Sequence, residues 1–339
     1  MVVTGSVRPV EIGLGLQSDK AIGRYAQLAV LAEEYDFDVI SVFGDLLFQP
    51  PIVPLLEMAA ATRRVRLGAA CWNPFTLHPY EIAGQLLALD AASGGRAYLG
   101  LARGTWLGSI GLTQPRPIRH IEEAVSVIRA LVTGDDSGRQ GSVFSLAAGT
   151  RLRYRTGGHE PRVLIGTWGA RMAEVAGRIA DEVKIGGTAN PAMVDVMIQR
   201  ISPGLQSAGR PARAVGVVVG AVTVVDRDGA LARAKARSEV AMYLDVVADL
   251  DPTVTVEPEL ITEIRTLVAL GKHDEAGRLV PDEVLDLFAF SGTPDQVAAQ
   301  AQALIDAGAS RVEFGTPHGL TDQLGIELLG REVLPLLRR

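Results

Sequence analysis

Short apolar runs alternate along this chain with segments in which apolar residues recur every three or four positions, from Glu11 almost to the C-terminal end. A short apolar run bounded by turn residues reads as a buried strand, and a three-to-four spacing as one face of a helix. Repeated in turn, the two predict βα units around a parallel sheet. The first strand reads Glu11 to Leu16, followed by a helix from Asp19, whose carboxylate can cap it, to Tyr35. Asp38 to Phe43, Val65 to Cys71 and Arg96 to Leu101 read as the next strands, with helices over Pro51 to Thr62 and Pro79 to Ala92 between them. Ile118, Ile121, Val125, Ile128 and Val132 line one face of a fourth helix, Pro117 to Val132.

Residues 133–160 lose the helical period and are rich in Gly, Ser, Arg and Thr, which predicts an excursion with one or two short strands. The rhythm resumes with strands at Arg162 to Gly166, Glu182 to Ile185 and Ala214 to Val225, and helices at Ala170 to Ala180, Ala192 to Ala208 and Asp228 to Val247. Pro252, Pro258, Gly271 and Pro281 divide 249–290 into short helices, an insertion of the kind that serves as a lid. Thr293-Pro294-Asp295-Gln296 is a capping box opening a helix that ends at Gly308. A strand around Val312 and Phe314 and a closing helix from Gln323 to Leu337 complete eight units. The expectation is one (β/α)8 barrel domain over 1–339, with 133–160 and 249–290 as insertions.

Composition narrows the function classes. With 47% hydrophobic and 21% charged residues, the chain can bury a large core and is not read as disordered. A net charge of -6 without a run of Lys or Arg argues against nucleic acid or an anionic membrane as partner. Cys71, the single cysteine, leaves no internal disulfide, and the five histidines are scattered, so no metal site is expected. Met1 to Val10 lacks the apolar centre of a secretory leader, and no uninterrupted apolar stretch reaches the ~18 residues of a membrane span. A soluble cytoplasmic enzyme is the expectation.

In such a barrel the chemistry sits in the loops that follow the strands. Those loops offer Gly44-Asp45, Cys71-Trp72-Asn73-Pro74, Ala102-Arg103-Gly104-Thr105-Trp106, Gly166-Thr167-Trp168-Gly169-Ala170-Arg171-Met172, Gly186-Gly187 and Gly315-Thr316-Pro317-His318. Gly166 to Met172 places small residues before a helix, so its first N–H groups can cradle a phosphate; a plain tight turn fits the same spacing. Asp45 can bond a heteroaromatic ring or move a proton, or simply cap a loop. Trp72, Trp106 and Trp168 can wall a planar ligand or cover apolar core. His78 and His318 are candidate acids or bases against the plainer reading of hydrogen-bonded bystanders. Cys71 reads as an inert thiol, and His120 with Glu122 and Glu123 as solvent-facing.

With these residues in place the chain resembles the bacterial luciferase-like superfamily and, within it, coenzyme F420-dependent reductases close to methylenetetrahydromethanopterin reductase. The resemblance runs from about Val10 to Leu337 and is carried by Val65 to Gly104 (VRLGAACWNPFTLHPYEIAGQLLALDAASGGRAYLGLARG), Pro161 to Gly186 (PRVLIGTWGARMAEVAGRIADEVKIG) and Phe288 to Gly319 (FAFSGTPDQVAAQAQALIDAGASRVEFGTPHG). It implies a non-prolyl cis peptide backing the deazaflavin at Cys71-Trp72, with Asn73 beside it. It also implies Asp45 at the ring, Gly104 and Thr105 along the ribityl chain, Thr167 to Met172 at the phosphate, and a homodimer. Two departures stand out: Leu46 follows Asp45 where many relatives have His, and Gly15 stands where methylenetetrahydromethanopterin reductase has an acidic residue. Glu11, earlier on that strand, is a poor substitute. The resemblance therefore implies hydride transfer at deazaflavin C5 more directly than it implies a substrate, with Asp45, His318 or water as proton donor. An FMN-dependent monooxygenase and a non-catalytic barrel holding flavin or a pterin are the competing readings.

Overall fold

The computed structural model describes residues 9–154 and 159–338. Most of the stretch read for a leader, up to Arg8, lies outside them, as do residues 155–158 of the excursion. The first half runs β1 (Glu11–Leu16), α1 (Arg24–Glu34), β2 (Val39–Val42), α2 (Ile52–Ala61), β3 (Arg66–Ala69), α3 (Pro79–Ser93), β4 (Leu99–Leu101) and α4 (Pro117–Thr133). It continues with β5 (Val163–Gly166), α5 (Ala170–Ile179), β6 (Glu182–Gly186), α6 (Ala192–Ser207), β7 (Gly216–Val225) and α7 (Gly229–Ala241). An insertion of α8 (Leu244–Val247), α9 (Pro258–Ala269), α10 (His273–Leu279) and α11 (Asp282–Phe288) follows. The chain then forms β8 (Ala289–Gly292), α12 (Pro294–Asp306), β9 (Arg311–Gly319) and α13 (Asp322–Leu328).

Eight parallel strands lie in the order β3-β2-β1-β9-β7-β6-β5-β4. Bridges Leu67↔Ala97 and Trp72↔Leu101 join the two ends of that order, so the sheet closes as a (β/α)8 barrel. Among the described residues there is a ninth strand, β8, which extends the sheet beside the second half of β7. It lies where the sequence reads the tail of the helical insertion: four residues directly after α11 carry no period of their own. Other boundaries differ as well, and the helix read from Asp228 to Val247 ends at Ala241. Helix α1 begins at Arg24 after a left-handed Gly23, and Asp19 pairs with Lys20 at 2.8 Å instead of capping it. Among its described residues the excursion pairs only Arg139 with Leu146 as an antiparallel bridge. The closing helix stops at Leu328 and continues as a π turn over Leu329–Val333. The capping box is present as read, with Thr293 and Gln296 bonding reciprocally.

Strand side chains alternate between the two faces of the barrel wall. On β1, Ile12, Leu14 and Leu16 are fully buried in the main core with the surrounding helices. Gly13 and Gly15 face inward, because a Cβ there would stand 3.4 Å from Glu313 Cγ and 3.1 Å from Glu313 Oε1 respectively. The interior is therefore charged as well as apolar. Val39, Tyr98, Leu164 and Val218 form its apolar layer, with Cys71 packed against it. Arg311, completely buried, pairs with Glu182 at 3.2 Å and approaches Glu313 at 3.9 Å. Toward the opposite end from the mouth, Arg66 bonds Glu11 and Arg162 lies 3.3 Å from Glu182. Glu11 is thus committed to the barrel floor.

A second apolar cluster joins α7 and the end of β7 to the insertion, through residues such as Ala236, Leu244, Ile264, Leu285 and Phe288. The insertion is pinned to the loop after β6: Asn190 Nδ2 donates to Asp251 Oδ2 at 2.9 Å, and Ala189 N to Leu287 O at 2.8 Å. Among the described residues no helix is long and apolar enough to cross a membrane.

Candidate active site

The C-terminal ends of the strands form the mouth of the barrel. After β2, Gly44 presses its backbone against the loop that follows β3: a Cβ at Gly44 would stand 2.2 Å from Cys71 O, so only glycine fits. That contact fixes the start of the segment carrying Asp45. Gln17, after β1, donates through Nε2 to Asp45 Oδ2 at 2.8 Å, and Asp45 is exposed. The surrounding walls desolvate the carboxylate and raise its pKa, against the opposing effects of the Gln17 hydrogen bond and the charge of Lys184.

The loop after β3 contains the non-prolyl cis peptide, but at Ala70-Cys71, one bond earlier than the resemblance implies. Cys71 turns inward, its sulfur 3.1 Å from the place of a Gly166 Cβ. Trp72 turns outward: it is 1% exposed and donates Nε1–H to Gln85 of α3 at 2.9 Å. Trp72 is a core residue and not a wall of the mouth. Burial pushes the Cys71 thiol up to about 12, leaving about one molecule in ten thousand ionised at pH 8. Alkylation of Cys71 by iodoacetamide at pH 8 is expected to run at least ~100-fold slower in the native protein than in denaturant; equal rates would contradict this placement.

Asn73 lies buried behind Gly104, whose φ of 76° is left-handed and whose Cβ would meet Asn73 Nδ2 at 2.0 Å. Gln114 Nε2 donates to Gly104 O at 3.1 Å and so ties down the loop after β4. Thr105 and Trp106 are exposed beside it. After β5, Gly166 is half-buried and Thr167 Oγ1 accepts from Gly169 N at 3.0 Å. Trp168 donates Nε1–H to Gly186 O at 3.1 Å, and it packs against both the main core and the insertion cluster. Helix α5 then starts with no side-chain cap, so the N–H groups of Ala170, Arg171 and Met172 are left for a ligand. A Cβ at Gly186 would meet nothing within 4 Å, and one at Gly169 only Thr167 Oγ1 at 3.8 Å. Bare backbone, open space and an uncapped helix start fit the phosphate end of a flavin-like cofactor.

His318 does not join this group as a proton donor. It lies inside β9, after the cis Thr316-Pro317 bond, and is completely buried. Burial, and then the charge of Lys20, push its pKa down to about 3, so the ring is neutral near pH 7. His120 is not simply solvent-facing either: it stacks on Phe75 at 3.9 Å and meets Phe144 edge-on. His78 caps α3, its Nδ1 accepting from Tyr80 N at 3.1 Å. Glu122 pairs with Arg178, and Glu123 gathers the N–H groups of Ser142, Val143 and Phe144. The groups missed in the sequence are Lys184 and Glu313, joined under the mouth. Their signal was charged and glycine residues at every second position of apolar strands, as in Glu182-Val183-Lys184-Ile185-Gly186.

Comparison with known proteins agrees with this geometry. The chain is 31% identical over 318 residues to a 5,10-methylenetetrahydromethanopterin reductase of Archaeoglobus fulgidus, covering 91% of this chain and 94% of the relative. It is 25% identical to an F420-dependent glucose-6-phosphate dehydrogenase of Kineococcus radiotolerans, covering 98% of each. The coenzyme F420-dependent tetrahydromethanopterin reductase of Methanopyrus kandleri superposes with a TM-score of 0.89 at 25% identity, covering 97% of this chain and all of that one. The luciferase-like monooxygenase family model matches residues 4–311. The chain belongs to that family, on a (β/α)8 barrel whose mouth gathers Asp45, the Ala70-Cys71 cis bond and the uncapped start of α5.

Proposed function

We propose that this protein is an F420-dependent oxidoreductase that reduces a C=N, C=C or C=O bond of a small organic substrate, or runs the reverse reaction. The observation that carries the reading is the mouth itself: an uncapped α5 with bare Gly169 and Gly186 beside it, and the open carboxylate of Asp45 across the rim. The F420-dependent activities named for the relatives support the cofactor class. When bound, F420 supplies hydride chemistry at C5 of its deazaflavin ring; the protein supplies position and electrostatics. The N–H groups of Ala170, Arg171 and Met172 would hold the phosphate, with Gly166, Thr167 and Trp168 leading into that turn. Gly104 and Thr105 would border the ribityl chain. The Cys71 backbone, with Asn73 behind Gly104, would form the surface behind the ring.

Asp45 is the group that holds or moves the proton, at Oδ1, since Oδ2 is occupied by Gln17. Its raised pKa keeps the proton-bearing form populated closer to neutrality than for an ordinary carboxylic acid. Replacing it with Asn is expected to lower kcat by roughly 10²- to 10⁴-fold while F420 affinity changes little. Unchanged turnover would remove Asp45 from the chemistry. Gly15 leaves no acidic side chain on β1 facing the mouth: a Cβ there would stand 2.5 Å from the Phe43 ring. The substrate of methylenetetrahydromethanopterin reductase is therefore not carried over to this chain. The enzyme acts as a single barrel domain in the cytoplasm, as a homodimer, with the 249–290 insertion shaping substrate choice.

A further inference from the structure

The turn that begins with Asp45 is closed by Phe48 N, which donates to Asp45 O at 3.4 Å. Its third residue, Leu47, has a φ of 69°, the left-handed value that glycine or asparagine ordinarily supplies at that position of a turn. A bulky residue there is a backbone outlier, and residues held in this way gather at active sites and ligand clamps. Leu47 is 86% exposed, and Phe48 beside it is half exposed. Contacts within the chain therefore do not offset the backbone cost of Leu47. Gln49 ties the turn to the loop after β1: its N donates to Ser18 O at 3.1 Å and its Nε2 to Lys20 O at 3.1 Å. Two residues beyond Lys20 stands Ile22, 81% exposed. Three large apolar side chains thus lie uncovered on two loops bonded to each other, and Gln17 of the first loop holds the Asp45 carboxylate of the second. Trp106, on the loop after β4, repeats the combination, with φ 57° and half its surface exposed.

The charges of this corner narrow what it can hold. Residues 44–51 contain no Lys, Arg or His, and Lys20 is the single cation of residues 17–23. Lys20 is mostly buried and lies between Asp19 at 2.8 Å and Asp322 at 3.7 Å. A phosphate or carboxylate bound here would find no free cation on either loop and would face Asp45 and Asp19. Arg103 belongs to the loop after β4, where Gly104 and Thr105 would border the cofactor. We propose that Ile22, Leu47 and Phe48, with Trp106 on the β4 loop, wall the substrate site, and that the substrate is uncharged and apolar, an aromatic or alicyclic body carrying the reducible bond. Covering Leu47 on binding makes the apolar contact that folding leaves unmade. The inference rests on the reading of Asp45 as the proton-handling group of the mouth, and it adds the substrate class.

The test uses the full chain and prodan, a neutral naphthyl ketone whose emission moves to the blue in apolar surroundings, with an acetylnaphthoate as its anionic counterpart. Prodan is expected to bind wild type saturably, with and without oxidised F420. The acetylnaphthoate is expected to compete at least ~10-fold more weakly, because its carboxylate loses water without gaining a partner. Leu47→Gly and Leu47→Asn both suit the left-handed position, so each is expected to hold or raise the melting temperature while weakening prodan about 10-fold. Wild-type prodan affinity in both variants would overturn the proposal, as would an absence of saturable prodan binding to wild type or equal affinity for the acetylnaphthoate. So would dissociation of the variants in sedimentation, a second copy then being what covers the turn, or a matching loss of F420 affinity, the cofactor then being its occupant. Wild type that binds prodan through Leu47 but fails to bind F420 overturns the functional reading and leaves the apolar wall standing.

Discussion

Gly169→Trp is expected to weaken F420 binding by about 100-fold or more, equivalent to about 2.7 kcal/mol, with thermal unfolding unchanged. The site is unusually clean for such a test. Gly169 has φ -76° and ψ 135°, extended values open to any residue, and a Cβ there would meet only Thr167 Oγ1 at 3.8 Å. The fold therefore tolerates a side chain, while an indole would fill the approach to the first N–H groups of α5. Fluorescence quenching of F420 against protein concentration, paired with a melting curve, reads both halves of the expectation. Wild-type affinity in the variant would place the phosphate elsewhere on the rim.

The largest effect on stability is expected at Arg311. Burial opposes the charge of its guanidinium, but Glu182, Glu313, Tyr98 and Glu11 more than offset that and hold its pKa above the ordinary value. Arg311→Met removes the cation and leaves the carboxylates of Glu182 and Glu313 buried with less compensation. Breaking one side of such a network costs about 3–5 kcal/mol, measured by denaturant unfolding at pH 7. A loss below about 1 kcal/mol at pH 7, the range of exposed ion pairs, would show that the charged interior does not hold the barrel together.

Much of the barrel was legible because its signals are local. The runs Glu11 to Leu16 and Ala170 to Ala180 follow from period and turn residues, and the structure places β1 over Glu11–Leu16 and α5 over Ala170–Ile179. The rule that chemistry follows the strands also pointed to Asp45 and to the start of α5, which the structure sets on the rim. What escaped depends on contacts between distant strands. Trp72 looked like a mouth residue by position, yet its ring is buried in the core and bonded to Gln85 of α3. His318 looked like an available imidazole, yet β9 continues through it and buries it. The Lys184–Glu313 pair joins residues 129 apart, and nothing near either one in the sequence announces the partner. Strand β8 is only four residues long and is defined by its pairing with β7, which local periodicity does not register.

Titration of the wild-type protein with oxidised F420 and, separately, with FMN, each followed by quenching of ligand fluorescence, tests the central claim most directly. The account predicts saturable F420 binding that is clearly tighter than FMN binding. Tighter binding of FMN would contradict it and turn the same barrel toward flavin monooxygenase chemistry.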